Sequence, residues 1–181
     1  ALIHLVGGWT GGKTIVDSSA DDLTSMLNQH AWTTFNLFQA FVPHLIASGW
    51  GRVITVSLPL TVHPAAKMGA HAAGKAAQEA LVMTLAEEVR ESGVTANVIH
   101  VNSIDTKSAG KGTSPKEIVA AMEYLCSEEA SKVTGMRMPV YSDAPVIARA
   151  AFVCPKQSPS SERIASSSYA LLAMTNRCAL Y

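Results

Sequence analysis

Residues 57–75, SLPLTVHPAAKMGAHAAGK, decide how the rest of the chain is read. Val53–Val56 just before them is a β-branched run with the composition of a buried strand. A loop bearing proline follows, and then an alanine-rich stretch that carries His71 and Lys75. Residues four apart share one face of a helix, so the pair points the same way. A strand end that feeds a polar pair on the next helix is where open α/β sheets place their ligands.

Outward from this stretch, strands and helices alternate. Leu2–Val6 is an apolar run closed by Gly7-Gly8 and reads as a buried parallel strand. A helix is predicted from Ser19 or Ala20, with Asp21 and Asp22 in its first turn, where carboxylates face the positive helix end. Leu23, Met26, Leu27, His30, Phe35, Phe38 and Val42 recur along it at helical intervals. Pro43 either kinks this helix or starts a new turn, and Gly49-Trp50-Gly51 ends it. Pro64 suits the first turn of the next helix, which is expected to run to Glu91. Its small residues, Gly69, Ala72, Ala73, Ala76, Ala77 and Ala80, allow a neighbour to pack closely. Strands at Val94–Val101 and Met136–Tyr141 flank a loop and a short helix opened by Pro115. The alternation implies an α/β fold, a partial Rossmann-type parallel sheet of about four strands with flanking helices and right-handed crossovers. The domain is expected over residues 1–143, with an irregular, serine-rich tail over 144–181.

Composition narrows the function classes. Of the 181 residues 48% are apolar and 15% charged, which suits a packed globule with a real core. Fourteen basic residues balance fourteen acidic ones, so no long-range field points to nucleic acid or to a membrane surface. No apolar run reaches transmembrane length. Cys126, Cys154 and Cys178 lack metal-type spacing, and a reducing, cytoplasmic setting is expected. The chain opens in mid-strand and reads like the interior of a longer protein. Gly7, Gly12, Lys13 and Thr14 formally match the spacing of a phosphate loop. The following Ile15-Val16-Asp17-Ser18 is not helix-like, so the segment reads as an ordinary glycine-rich turn.

With these elements placed, residues 1–143 resemble the second half of the short-chain dehydrogenase/reductase fold. His4-Leu5-Val6-Gly7 stands where that family has Asn-Asn-Ala-Gly. Phe35–Leu45, with Gln39-Ala40 and Pro43, is similar to its long helix, and Gly51-Arg52-Val53-Ile54 to its active-site strand. Val94-Thr95-Ala96-Asn97-Val98, Ile104-Asp105-Thr106 and the stretch from Leu125 to Gly135 resemble its later signatures. The family's Tyr-x-x-x-Lys corresponds to His71-x-x-x-Lys75. Its catalytic Ser falls at Leu58, one residue after Ser57, and its helix Asn at His30. Its Pro-Gly after the third of these strands is Val101-Asn102. The resemblance implies an NAD(P)-linked oxidoreductase, with Gly7 and Thr106 at cofactor-facing positions. No G-x-G-x-x-G occurs in the sequence, and the family's first three strands have no counterpart in it. With Tyr and Ser replaced, the expected dehydrogenase is weak or inactive. Truncation of that fold would leave Leu2–Val6 as an exposed edge that invites self-association.

The altered residues also admit other readings. His4, His30, His71 and His100 are expected near one rim of the sheet, as a general acid/base group, a metal site or inert substitutions. Ser57 with His71 or His30 forms a nucleophile–base pair for ester or lactone hydrolysis, metal-assisted or not; no orienting carboxylate is obvious, and Asp105, beyond the third strand, is the best candidate. Lys75 either lowers a neighbouring pKa or is a solvated lysine filling a vacated cleft, the second being favoured. A small-molecule substrate fits the enzyme readings. The remaining alternative is a non-catalytic association module built on residues 64–91. Trp9, Trp32 and Trp50 read as packing.

Overall fold

Gly51–Ser57 (β2) and Val94–His100 (β3) form the centre of a four-stranded parallel sheet. Leu2–His4 (β1) flanks β2, and Arg137–Pro139 (β4) flanks β3, giving the order β1-β2-β3-β4. The structure is a computed structural model that describes residues 1–107 and 112–141. The serine-rich tail expected over 144–181 lies outside those residues. Every residue of β3 is buried, as is all of β2 except Val56, because helices cover both faces.

The crossovers are α1 (Ala20–Leu27), a π turn (Asn28–Trp32) and α2 (Thr33–Ala47) between β1 and β2. Next comes α3 (Gly69–Glu88) between β2 and β3, and then α4 (Pro115–Cys126) before β4. Ser19 caps α1 and Ser114 caps α4, each in a capping box, with Asp22 and Glu117 reaching back. Strand alternation divides the core. Val53, Ala96 and Val98 pack with Phe38, Val42, Val82, Leu85 and Val89 on the α2/α3 side. Ile54 and Ile99 pack with Ile118, Met122 and Leu125 of α4 on the other.

The architecture is the one the sequence implies, but several boundaries and burials differ. The single long helix expected from residue 20 is interrupted by the π turn, and Pro43 lies inside α2, which continues to Ala47. Pro64 does not open α3. Pro59 starts a short 3₁₀ turn, His63 offers no capping oxygen, and Lys67 has φ +63°, off any helical path, so α3 begins at Gly69. It ends at Glu88 rather than Glu91. β1, β3 and β4 are shorter than predicted. Leu23 and Phe35 are exposed despite their helical spacing. The tryptophans are exposed too. Trp50 stacks on the buried Arg52 guanidinium, 4.8 Å from it, and Trp32 meets Phe35 edge-on.

The glycine-rich segment is a turn, as read: residues 15–17 are non-helical, and Lys13 Nζ is held 2.8 Å from Asp22. The small-residue face of α3 works differently from the expectation. Ala76 and Ala80 are exposed, and the close approach falls at Gly74, where an added Cβ would lie 2.7 Å from the Met26 carbonyl oxygen. Glycine there lets α3 lie against α1 and the π turn.

Candidate functional site

Three imidazoles and one amine meet beneath the crossing of α3 with the π turn. The π turn carries an extra residue within the helix and turns His30 inward, with Thr33 Oγ1 donating to the Asn28 carbonyl at 2.9 Å. His30 is buried, and its Nε2–H donates to the Gly8 carbonyl at 3.0 Å. That bond fixes the neutral tautomer, so Nδ1 carries a free lone pair. The His71 ring meets it edge-on at 5.3 Å. His4, paired in register with Thr55, lies on the same side of the sheet. Four ring nitrogens, both of His4 and the Nδ1 of His30 and of His71, are buried without a hydrogen-bond partner. Thr55 Oγ1 shares that condition.

Lys75 is one turn beyond His71 on α3. It is only 8% exposed, so the solvated lysine favoured from sequence gives way to a buried one. Its Nζ donates to the Val56 carbonyl at 2.9 Å and to Gln78 Oε1 at 3.0 Å. Gln78 in turn donates to Thr34 Oγ1, whose hydroxyl bonds the His30 carbonyl. Burial pulls the amine down to about 8, partly opposed by Glu79. Burial also lowers His4, His30 and His71, each further depressed by the charge of Lys75, and His30 falls to about 4. Near neutral pH the three rings are therefore uncharged.

One turn further on α3, Glu79 is a second centre. Its Oε1 accepts from Ser57 Oγ at 2.6 Å and His100 Nε2 at 3.0 Å; its Oε2 accepts from Arg137 Nε at 2.6 Å and Thr61 Oγ1 at 3.2 Å. Burial alone would raise this carboxyl, but hydrogen bonds from His100, Ser57 and Arg137 hold it down to about 2. Four segments are thereby tied to one buried anion.

The residues singled out in the sequence thus fall into two groups. His30, His71, Lys75 and His4 come together. Ser57 and His100, register partners across β2 and β3, belong to Glu79 instead. No hydrogen bond among the described residues joins Ser57 to His30 or His71. Asp105 lies in the loop after β3, its N–H donating to Thr113 O at 2.9 Å. Leu58 follows the end of β2 and is half-buried. Among the described residues no three His, Cys, Asp or Glu side chains are grouped to hold a metal ion. Glu79 was missed from sequence, although its signal was present: it continues the His71, Lys75 spacing by four.

The two expected cofactor positions sit at the C-terminal end of the sheet. An added Cβ on Gly7 would lie 2.6 Å from His30 Cε1, so its missing side chain makes room for that imidazole. Thr106 is exposed, and its N–H donates to Ile104 O at 3.0 Å.

An open parallel sheet with a buried lysine and acid–base side chains at the C-terminal ends of its strands has the frame of a nucleotide-linked α/β enzyme. A short chain dehydrogenase family model matches residues 1–117, and the chain belongs to that family, which generally uses NAD(P). It is 26% identical over 145 residues to a 3-oxoacyl-(acyl-carrier-protein) reductase of Salmonella typhimurium, covering 71% of this chain and 59% of that one. It is 27% identical over 145 residues to an NADPH-dependent aldehyde reductase-like chloroplast protein of Arabidopsis thaliana, covering 70% and 54%. The chain thus spans little more than half the length of these relatives. The fold superimposes on acetoin dehydrogenase of Salmonella typhimurium with a TM-score of 0.71 at 25% identity, over 77% of this chain and 61% of that one. A dehalogenation enzyme shares the fold, with a TM-score of 0.70 at 21% identity over 76% and 65%. No helix among the described residues is long and apolar enough to cross a membrane.

Proposed function

We propose that this chain is a short-chain dehydrogenase scaffold in which hydride transfer is weak or lost. The observation that carries the reading is His71. It stands at the family's tyrosine position, 3% exposed, with its pKa lowered by burial and by Lys75. A neutral imidazole at that place is a far weaker proton donor toward a developing alkoxide than a tyrosine beside a lysine ammonium. Leu58 offers no hydroxyl to the substrate oxygen, and His30 is committed to Gly8.

The test is oxidation of NADH and NADPH by the chain with a panel of small aldehydes and ketones. Turnover at background is expected. The triple restoration His71→Tyr, Leu58→Ser and His30→Asn should raise it if the frame is otherwise intact. Robust turnover by the unaltered chain would overturn the reading.

The alternative, hydrolysis by Ser57 with a histidine base, has less support, because the Ser57 hydroxyl is fully buried and donates to a carboxylate. Activated-ester cleavage that falls in both Ser57→Ala and His71→Ala would revive it. Self-association belongs to the same proposal. An apolar groove of about 900 Å³ between α2 and α3, lined by Phe35, Phe38, Val42, Pro43, Ile46 and Leu81, suits a second copy of this chain in a reducing cytoplasm.

A further inference from the structure

The three buried imidazoles sit where the glycine turn, β1, the π turn and α3 meet, and the packing there is tight. Glycine flanks the His30 ring twice: an added Cβ would lie 2.6 Å from its Cε1 at Gly7 and 3.0 Å from its Cδ2 at Gly74. The His71 ring closes on it edge-on, with centroids 5.3 Å apart. The charged groups around the cluster do not favour a further cation. α3 contributes Lys75, whose ammonium is held by the Val56 carbonyl and Gln78 Oε1. Glu79, a turn further on, has each carboxylate oxygen engaged by two donors. β2 presents Thr55 beside His4, and its Arg52 bonds Gly51, Gly93 and Ser127 instead. Lys13 of the glycine turn is held by Asp22 of α1, and Asp21 is exposed. A proton added to any of the three rings therefore puts a second positive charge beside Lys75, in a place closed to water.

We propose that this cluster is an acid-released latch: neutral, the rings hold α1 and the π turn against α3, and protonated, they free that segment while the rest of the sheet stays folded. A charged ring regains its hydration only by leaving the junction. α1 has eight residues and the π turn five, lengths that do not stay helical without tertiary packing. Once away from α3 they unwind, and the glycine turn, tied to them by His30 and by the Lys13–Asp22 pair, is freed with them. β3 is anchored on α4 through Ile99, Met122 and Leu125, on the opposite face of the sheet, and keeps that packing. Burial and the charge of Lys75 lower all three rings, which runs in the same direction. The latch needs no substrate and no cofactor, so it stands apart from the reading of hydride transfer.

The experiment is amide hydrogen exchange of the whole chain from pH 7 to 4.5, read by peptide mass spectrometry and corrected for the intrinsic rate at each pH. Amides of residues 20–32 should lose their protection at a pH where those of β3 and α4 keep theirs. A released ring takes up its proton below about 6.5, so opening becomes about eightfold easier per ring between pH 6 and pH 5. Two rings acting together lower the protection of 20–32 by about sixtyfold over that interval, and three by more. His30→Asn should remove about eightfold of that fall, and His44→Asn, an exposed ring on α2, should remove none. Protection of 20–32 equal to that of β3 and α4 at every pH, or a fall of no more than about eightfold in the unaltered chain, would overturn the proposal. An identical fall in His30→Asn would do the same. Location and steepness are both read in the unaltered chain, so they decide the matter even where the His30 variant does not fold.

Discussion

Lys75 and Glu79 lie one helical turn apart on α3, and both are buried, yet their ionisation is governed by opposite balances. For Lys75 burial outweighs the opposing charge of Glu79 and the amine falls to about 8; for Glu79 burial is outweighed by its hydrogen-bond donors and the carboxyl falls to about 2. Replacing Glu79 with Ala would leave the buried Ser57 and His100 donors without their acceptor. Unfolding in urea should show a loss of roughly 3 kcal/mol or more. The same site makes the protein sensitive to acid. The lowered folded pKa of Glu79 gives stability that is complete above 4.5 and lost as pH falls toward 2. For His30 the unfolded ring binds protons below 6.5 while the folded one resists until about 4, so stability declines across that window as well. Melting temperature should fall from pH 7 toward 4.5, before Glu79 titrates. A His30→Asn variant should flatten that upper limb, and an unchanged slope would show that the buried rings do not set it.

At the scale of elements, the contact between α3 and α1 depends on Gly74. A methyl group there meets the Met26 carbonyl at 2.7 Å, and backbone cannot yield as a flexible side chain would. Gly74→Ala should destabilise by about 1–3 kcal/mol, measured as a shift in the urea midpoint. Ala76→Ser, on the exposed side of the same helix, should change little. The start of α4 gives a second test. Ser114 accepts from the Glu117 amide in a capping box, so Ser114→Ala should cost about 1 kcal/mol. The order of these elements was legible because apolar runs and helical spacing are properties of short segments. The start of α3 was not, since Pro64 matches a helix start equally well, and only the path of residues 62–68 decides against it. Nor was the π turn, which a period of 3.6 cannot signal.

For the whole molecule, the groove between α2 and α3 is the surface to test. Phe35 and Ile46 line it and are exposed. Sedimentation equilibrium should show concentration-dependent association, abolished by Phe35→Asp with Ile46→Asp. A monomer at all concentrations would remove the self-association proposal. The sequence by itself determined the parallel α/β order, the family frame and the pairing of His71 with Lys75 on one helix face, because each rests on local periodicity or on motif spacing. The tertiary structure alone decided that Lys75 is buried rather than solvated, that Ser57 and His100 serve Glu79, and that His4 and His30 join His71. Those outcomes depend on strand register and on how closely α3 approaches its neighbours. Side chains far apart in the chain become partners only when backbone packing brings them within hydrogen-bonding distance, and no local pattern encodes that distance.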